Sequence, residues 1–225
     1  MRNRGFILLR PAGFGVISPA RRRRAGFTLV EMLVVIIIIA ILAGMTLVGV
    51  NAAMRSSKIS GTQTMLDQIK VSIEQYNVQW GDIPPTNFAE ISPAKVNDIN
   101  NGIETMTACL SSQEKGGPRF KLDKSDLYCN IDGDKLLANP NNWYFGTNEL
   151  FEIGDYFGRP LVYFHFKDYA KPSSLIVSYR FIAGAALERA KPMMDPTTKA
   201  YVNADKFQVF STGPDGKPGT ADDIR

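Results

Sequence analysis

The stretch RRRRAGFTLVEMLVVIIIIAILAGMTLVGV, residues 21–50, sets four arginines against a long apolar run that carries a single charge, Glu31. A helix from Phe27 to Val50 rises about 36 Å, enough to cross a hydrocarbon core of about 30 Å. Arg2, Arg4, Arg10 and Arg21 to Arg24 precede this run, and only Arg55 and Lys58 follow it closely. The asymmetry predicts a cytoplasmic N-terminus and an extracytoplasmic chain beyond about Asn51. A carboxylate in lipid costs roughly 2.5–3.5 kcal/mol at mid-membrane and less near an interface. Glu31 lies in the first turn, where the helix dipole favours a negative charge.

The formal charge of +4 over 225 residues comes largely from the arginines ahead of Glu31. The remainder is close to neutral, so no basic domain announces a nucleic-acid partner. Cys109 and Cys129 are too few and too widely spaced for a zinc site. Either they form one disulfide in an oxidising compartment, closing a loop of about 20 residues at a gain of about 3 kcal/mol, or they are two buried thiols.

An ordinary secretory signal is cut after its apolar stretch; here the distinctive residues come before it. Arg24-Ala25-Gly26-Phe27-Thr28-Leu29-Val30-Glu31 resembles the type III signal of type IV pilins and type II secretion pseudopilins. The resemblance implies that a prepilin peptidase cuts after Gly26 and methylates Phe27, and that Glu31 accepts the charge of a neighbouring subunit's Phe27 amine in a filament. That amine has an ordinary pKa of about 8. Many relatives carry proline about 22 residues into the mature helix, where this chain has Val48. The helix then either stays straighter or loosens at Gly44 and Gly49.

Ile59, Thr62, Leu66, Ile69, Ile73, Tyr76 and Trp80 recur at spacings of three and four, which predicts an amphipathic helix, and Lys70 with Glu74 forms an i,i+4 pair. Gly81 and Pro84-Pro85 mark its end. Joined to the apolar run, it makes a rod of about 80 Å, with the apolar face packed on the protein's own sheet. Tyr76 and Trp80-Gly81-Asp82-Ile83-Pro84 resemble the end of the pseudopilin helix.

From Pro85 to about Gly154 the pattern is irregular, with turn formers in EKGGP, DGDK and NPNN, both cysteines, and the cluster Trp143, Tyr144, Phe145. This reads as a surface lobe specific to the protein. Asn130, Asp132 and Asp134 in NIDGD fail as an EF-hand, because Gly133 stands at loop position four and no glutamate stands at twelve. An acidic hairpin turn is the expectation there, with a calcium site of another kind as the alternative.

Strands are predicted at residues 161–166, 175–182 and 207–211, giving an α+β head. Asp155-Tyr156-Phe157-Gly158-Arg159-Pro160-Leu161-Val162-Tyr163 resembles the turn that opens the pseudopilin sheet, and the ending VFSTGPDGKPGTADDIR resembles the C-terminal calcium loop of the major pseudopilin. So flexible a chain needs a source of order other than apolar burial, and calcium takes six to eight oxygens in adaptable geometry. The resemblance implies side-chain ligands from Asp215, Asp222 and Asp223 and carbonyls from Thr212 and Ile224, the calcium being structural.

Catalysis finds no footing. The only histidine, His165, sits in the strand-like run VYFHF, and there is no Gly-x-Ser-x-Gly elbow or phosphate loop. The expected organisation is a leader at 1–26, a transmembrane half-helix at 27–50, an amphipathic half at 51–81, an insert at 82–154, and the sheet with its calcium loop at 155–225. The resemblance implies a single-pass inner-membrane subunit with a periplasmic head, dispersed in lipid before assembly. A prepilin peptidase processes it. A membrane platform and its ATPase polymerise it with copies of itself and minor pseudopilins into a pseudopilus that exports folded proteins. The alternative is a type IV pilin of a surface fibre for adhesion, motility or DNA uptake.

Overall fold

The computed structural model describes residues 26–92, 96–111, 127–136, 148–171 and 178–225. The leader through Ala25, the EKGGP and NPNN turns, the Trp143–Phe145 cluster and residues 175–177 of the predicted 175–182 strand lie outside them. The chain divides into two units, Met1–Val48 and Gly49–Arg225.

Helix α1, Leu29–Trp80, is unbroken past Gly44, Val48 and Gly49. In the first unit its described side chains are exposed all round, including Leu29, Ile36 and Leu42. An apolar circumference without a polar face suits lipid rather than water, and the helix is long and apolar enough to cross a membrane.

In the second unit α1 is amphipathic. Thr62, Leu66, Ile69, Ile73 and Tyr76 are buried as their spacing predicts, joined by Met65 and Ser72, and Ile59 packs at the margin. Trp80 departs from the pattern: it remains 47% exposed, stacked on Tyr76 at 6.2 Å between ring centroids, because the helix ends beside it. The Gly81 N–H closes that end on the Asn77 carbonyl at 2.8 Å. The predicted Lys70–Glu74 pair does not form. Lys70 turns to Asp67 at 3.0 Å and Glu74 is taken by Lys206 at 3.0 Å, a residue brought close only by folding.

Among the described residues, six short strands form three antiparallel pairs. Strand β1 (Tyr128–Cys129) pairs with β2 (Glu152–Ile153). Strand β3 (Val162–His165) pairs with β6 (Phe207–Phe210), Val162 opposite Phe210. Strand β4 (Ser178–Tyr179) pairs with β5 (Glu188–Arg189). The long helix followed by small antiparallel sheets is the expected α+β, type IV pilin-like arrangement.

The described part of the insert is not a surface lobe. It supplies helix α2, Asn101–Ser111, whose residues Asn101 to Leu110 are all buried. Ile103, Met106, Cys109 and Leu110 share one core with Leu66, Ile69, Tyr163 and Phe210. Gly102 makes the approach possible, since a Cβ there would stand 2.6 Å from the Tyr163 carbonyl oxygen of β3. The segment carries a helical spacing at Ile103, Met106 and Leu110, with Asn101, Glu104 and Thr105 between them, but it is short and set among turn formers, so the region reads as irregular.

The cysteines do not form the candidate disulfide. Cys109 is buried with the core side of α2, whereas Cys129 on β1 directs Sγ to the Glu152 carbonyl at 3.8 Å. Burial, with Glu152 nearby, pushes the Cys129 thiol up to about 12, so it stays protonated and weakly nucleophilic.

Candidate assembly and metal sites

At the start of α1, Thr28 and Glu31 cap the helix reciprocally. The Glu31 N–H donates to Thr28 Oγ1 at 3.2 Å, while Glu31 Oε2 accepts the Thr28 N–H at 2.7 Å and its hydroxyl at 2.8 Å. This capping box satisfies donors that the first turn would otherwise leave open. The lone carboxylate thus has partners within its own subunit. The Thr28-x-x-Glu31 spacing made the box legible in the sequence. Gly26 and Phe27, the predicted processing pair, precede the helix in exposed, non-helical backbone, which is accessible to a peptidase.

The C-terminal loop is closed by the bridge between Ser211 and Ile224, whose N–H and carbonyl groups pair at 2.9 and 3.0 Å. Within it, Asp222 Oδ2 accepts the Asp215 N–H at 3.1 Å, Asp215 Oδ1 the Lys217 N–H at 2.8 Å, and Asp223 Oδ2 the Gly219 N–H at 2.8 Å. The Thr220 hydroxyl donates to Asp222 Oδ1 at 2.5 Å and holds that carboxyl below its ordinary range. Burial, then the charges of Asp215 and Asp222, push Asp223 up to about 6. Gly213 has φ +60°, and a Cβ there would fall on the Asp222 carbonyl oxygen.

Asp223 Oδ1 and Thr212 Oγ1 are buried without a hydrogen-bond partner, oxygens of the kind a hard cation takes. Asp215, Asp222 and Asp223 do not, however, converge within 4.8 Å of one another as the acids of the insert do. The Ile224 carbonyl already accepts the Ser211 N–H, so as a ligand it would use its second lone pair. Arg159 Nη1 donates to the Gly213 carbonyl at 2.6 Å. Asp155 accepts the N–H groups of Phe157 and Arg159 and the Ser211 hydroxyl, the last at 2.6 Å, tying the turn before β3 to the loop.

The insert holds a second acidic group. The turn after β1 is shaped by Asn130, which accepts the Gly133 N–H at 2.7 Å and donates to the Asp134 carbonyl at 2.9 Å. Asp132 and Asp134 of this turn each bring a carboxylate oxygen to within 4.8 Å of one from Glu104 on α2. The segment is not the expected hairpin turn: Cys129 before it and Lys135 after it pair with Glu152 and Glu149 of the same facing segment, so it is a bend within one arm of the ladder, and its meeting with Glu104 has no signal in the sequence.

His165 is a strand side chain. Its Nδ1 accepts the Lys167 N–H at 3.1 Å and its Nε2 lies 3.3 Å from Asp82. Burial lowers its pKa, against the pull of Asp82.

Among known families, residues 21–48 match the one described as the prokaryotic N-terminal methylation motif. No curated protein and no solved structure matched the chain. The motif is type IV prepilin-like and marks structural subunits rather than enzymes. It implies processing by a prepilin peptidase and assembly into a filament, and with the apolar helix it is consistent with membrane anchoring.

Proposed function

We propose that the chain is a structural subunit of a type II secretion pseudopilus, anchored in the inner membrane by α1 with its head in the periplasm. The observation that carries this reading is the methylation motif at residues 21–48, with Glu31 five residues after the Gly26-Phe27 junction. Cleavage there creates an amine at Phe27 without removing Thr28, so the capping box survives processing. In the filament Glu31 Oε1, which has no part in the box, accepts the amine of an adjoining copy and sets the axial stagger of subunits. The subunit is stored in lipid until the platform and ATPase extract it. There it joins copies of itself and minor pseudopilins.

The pseudopilus is favoured over the surface fibre by the C-terminal loop. Asp215, Asp222 and Asp223, with Thr212 and Ile224, hold a structural calcium in this reading, its charge offsetting three carboxylates so that the last strand stays closed.

Intact mass and N-terminal sequencing of the membrane-extracted chain, with and without prepilin peptidase, test the class. A chain beginning at methylated Phe27 only when the peptidase is present supports it; a chain retaining Met1, or cut beyond Val50, overturns it. Deleting the subunit in its host tests the choice of filament. Lost export of folded proteins with surface fibres intact supports the pseudopilus, and the reverse assigns the surface fibre.

A further inference from the structure

The meeting of α2 with the β1–β2 segment leaves negative charge without compensation. Glu104, in the first turn of α2, is fully buried, and neither of its carboxylate oxygens has a hydrogen-bond partner. Both oxygens of Asp134 and Oδ1 of Asp132 are also buried and unpartnered. The remaining oxygen of Asp132 accepts Asn97 Nδ2 at 2.8 Å. Glu152 on β2, fully buried, lies close behind: it accepts the Ile131 N–H at 3.1 Å and Asn100 Nδ2 at 2.7 Å. Among the described residues no lysine or arginine forms an ion pair with any of the four.

Such an arrangement is costly as it stands. A buried charge without a counter-ion costs several kcal/mol, and an unmade hydrogen bond at a buried carboxylate adds to that. Water could satisfy lone pairs but cannot offset three charges that converge within 4.8 Å. The remaining routes are protons or a cation. A proton would neutralise one or two carboxyls and leave acceptor oxygens unfilled. One divalent cation fills every open oxygen at once and takes up the repulsion.

The donors are all carboxylate oxygens, which select a hard ion over zinc or copper. Magnesium usually keeps several waters and takes one or two carboxylates, whereas calcium takes six to eight oxygens, some bidentate, in flexible geometry. A group of three carboxylates with five open oxygens suits calcium.

We infer that Glu104, Asp132 and Asp134 form a calcium site that pins the turn after β1 to the first turn of α2, with Glu152 positioning the turn through the Ile131 N–H. The site shares no residue with the C-terminal loop and does not rest on the filament reading. Its consequence is structural: it fastens the insert to a helix that is itself part of the core. Asp132 and Asp134 are near in sequence, but Glu104 is supplied by another element, which is why no loop motif describes the set.

The test uses the full chain in detergent micelles, stripped with chelator and titrated with calcium chloride by calorimetry, with thermal melting in parallel. Comparison is made with Glu104→Gln, Asp134→Asn and the loop double variant Asp222→Asn/Asp223→Asn. One calcium per chain should disappear, or weaken at least tenfold, in both Glu104→Gln and Asp134→Asn and persist in the loop double variant. The calcium-dependent rise in melting temperature should shrink with it. In chelator both insert variants should melt higher than the parent, because each removes an uncompensated charge; that rise also certifies that they fold. Binding unchanged by both insert variants overturns the site, as does magnesium binding equal to calcium. Failure of the loop to bind calcium would appear as a parent stoichiometry of one that the loop variant leaves untouched. That outcome counts against the pseudopilus reading and leaves this site standing.

Discussion

The two acidic groups of the head are built in opposite ways. The C-terminal loop draws Asp215, Asp222 and Asp223 from nine consecutive residues, and its irregular backbone offers each carboxylate an N–H that no ladder has claimed. The insert group draws Glu104, Asp132 and Asp134 from a helix and a distant turn, where the nearby backbone groups are largely committed to helix and strand pairing. An acid in a glycine-rich turn therefore finds donors locally. An acid delivered into a core by tertiary packing does not, and its charge must be met by something else.

The largest expected effect probes the foundation of the insert group. Ile103, fully buried one position before Glu104, should cost about 2–5 kcal/mol when changed to Ala, read by urea unfolding of the micelle-bound chain. A cost near zero would restore the insert to a surface lobe and dissolve the contrast. Next comes the loop: Gly213→Ala places a Cβ on the Asp222 carbonyl at positive φ and should cost about 1–3 kcal/mol. Hydrogen exchange should quicken at the Ser211 and Ile224 amides, and unchanged protection there would show that the loop does not depend on this closure.

A third contrast lies in pH. Burial holds the carboxyl of Glu104 well above its ordinary range and pushes Asp134 up to about 7 and Glu152 up to about 8. Each folded-state value lies above the unfolded one, so the unfolded chain loses these protons first as pH rises. In chelator, stability should fall as pH rises from about pH 4.5 through about pH 8. In Glu104→Gln that slope should flatten. Asp222, held low in the loop, acts oppositely: its contribution is present above the ordinary carboxylate range and lost only in acid. Melting temperatures at pH 5 and pH 8 decide it, and a rise between them would refute the burial argument. The smallest effect is on the exposed face of α1, where Lys206→Ala breaks the ion pair with Glu74 and should change stability by less than about 1 kcal/mol.

Much of this was legible because it is local. The apolar run, the spacing of Leu66, Ile69, Ile73 and Tyr76, the stop at Gly81 and the aspartates of the last loop all lie within single segments, where periodicity and composition act directly. The Thr28–Glu31 box is equally local, its Thr-x-x-Glu spacing lying where the membrane segment begins. Trp80 misled because amphipathic spacing continued one turn past the surface available to cover it. Lys70 and Glu74 misled because the partner of Glu74 lies far along the chain, at Lys206.

The sequence by itself determined the membrane-length helix, its processing motif, the amphipathic face of α1 and a closing loop rich in glycine and acid, since each follows from neighbours along the chain. Only the tertiary structure decided that α2 belongs to the core, that Cys109 and Cys129 stay apart, and that Glu104 meets Asp132 and Asp134. Those outcomes depend on which segments are carried to the same point in space, and pairings across intervening chain leave no period in the sequence. They are set by apolar burial over the whole head, to which each buried carboxylate must then be reconciled.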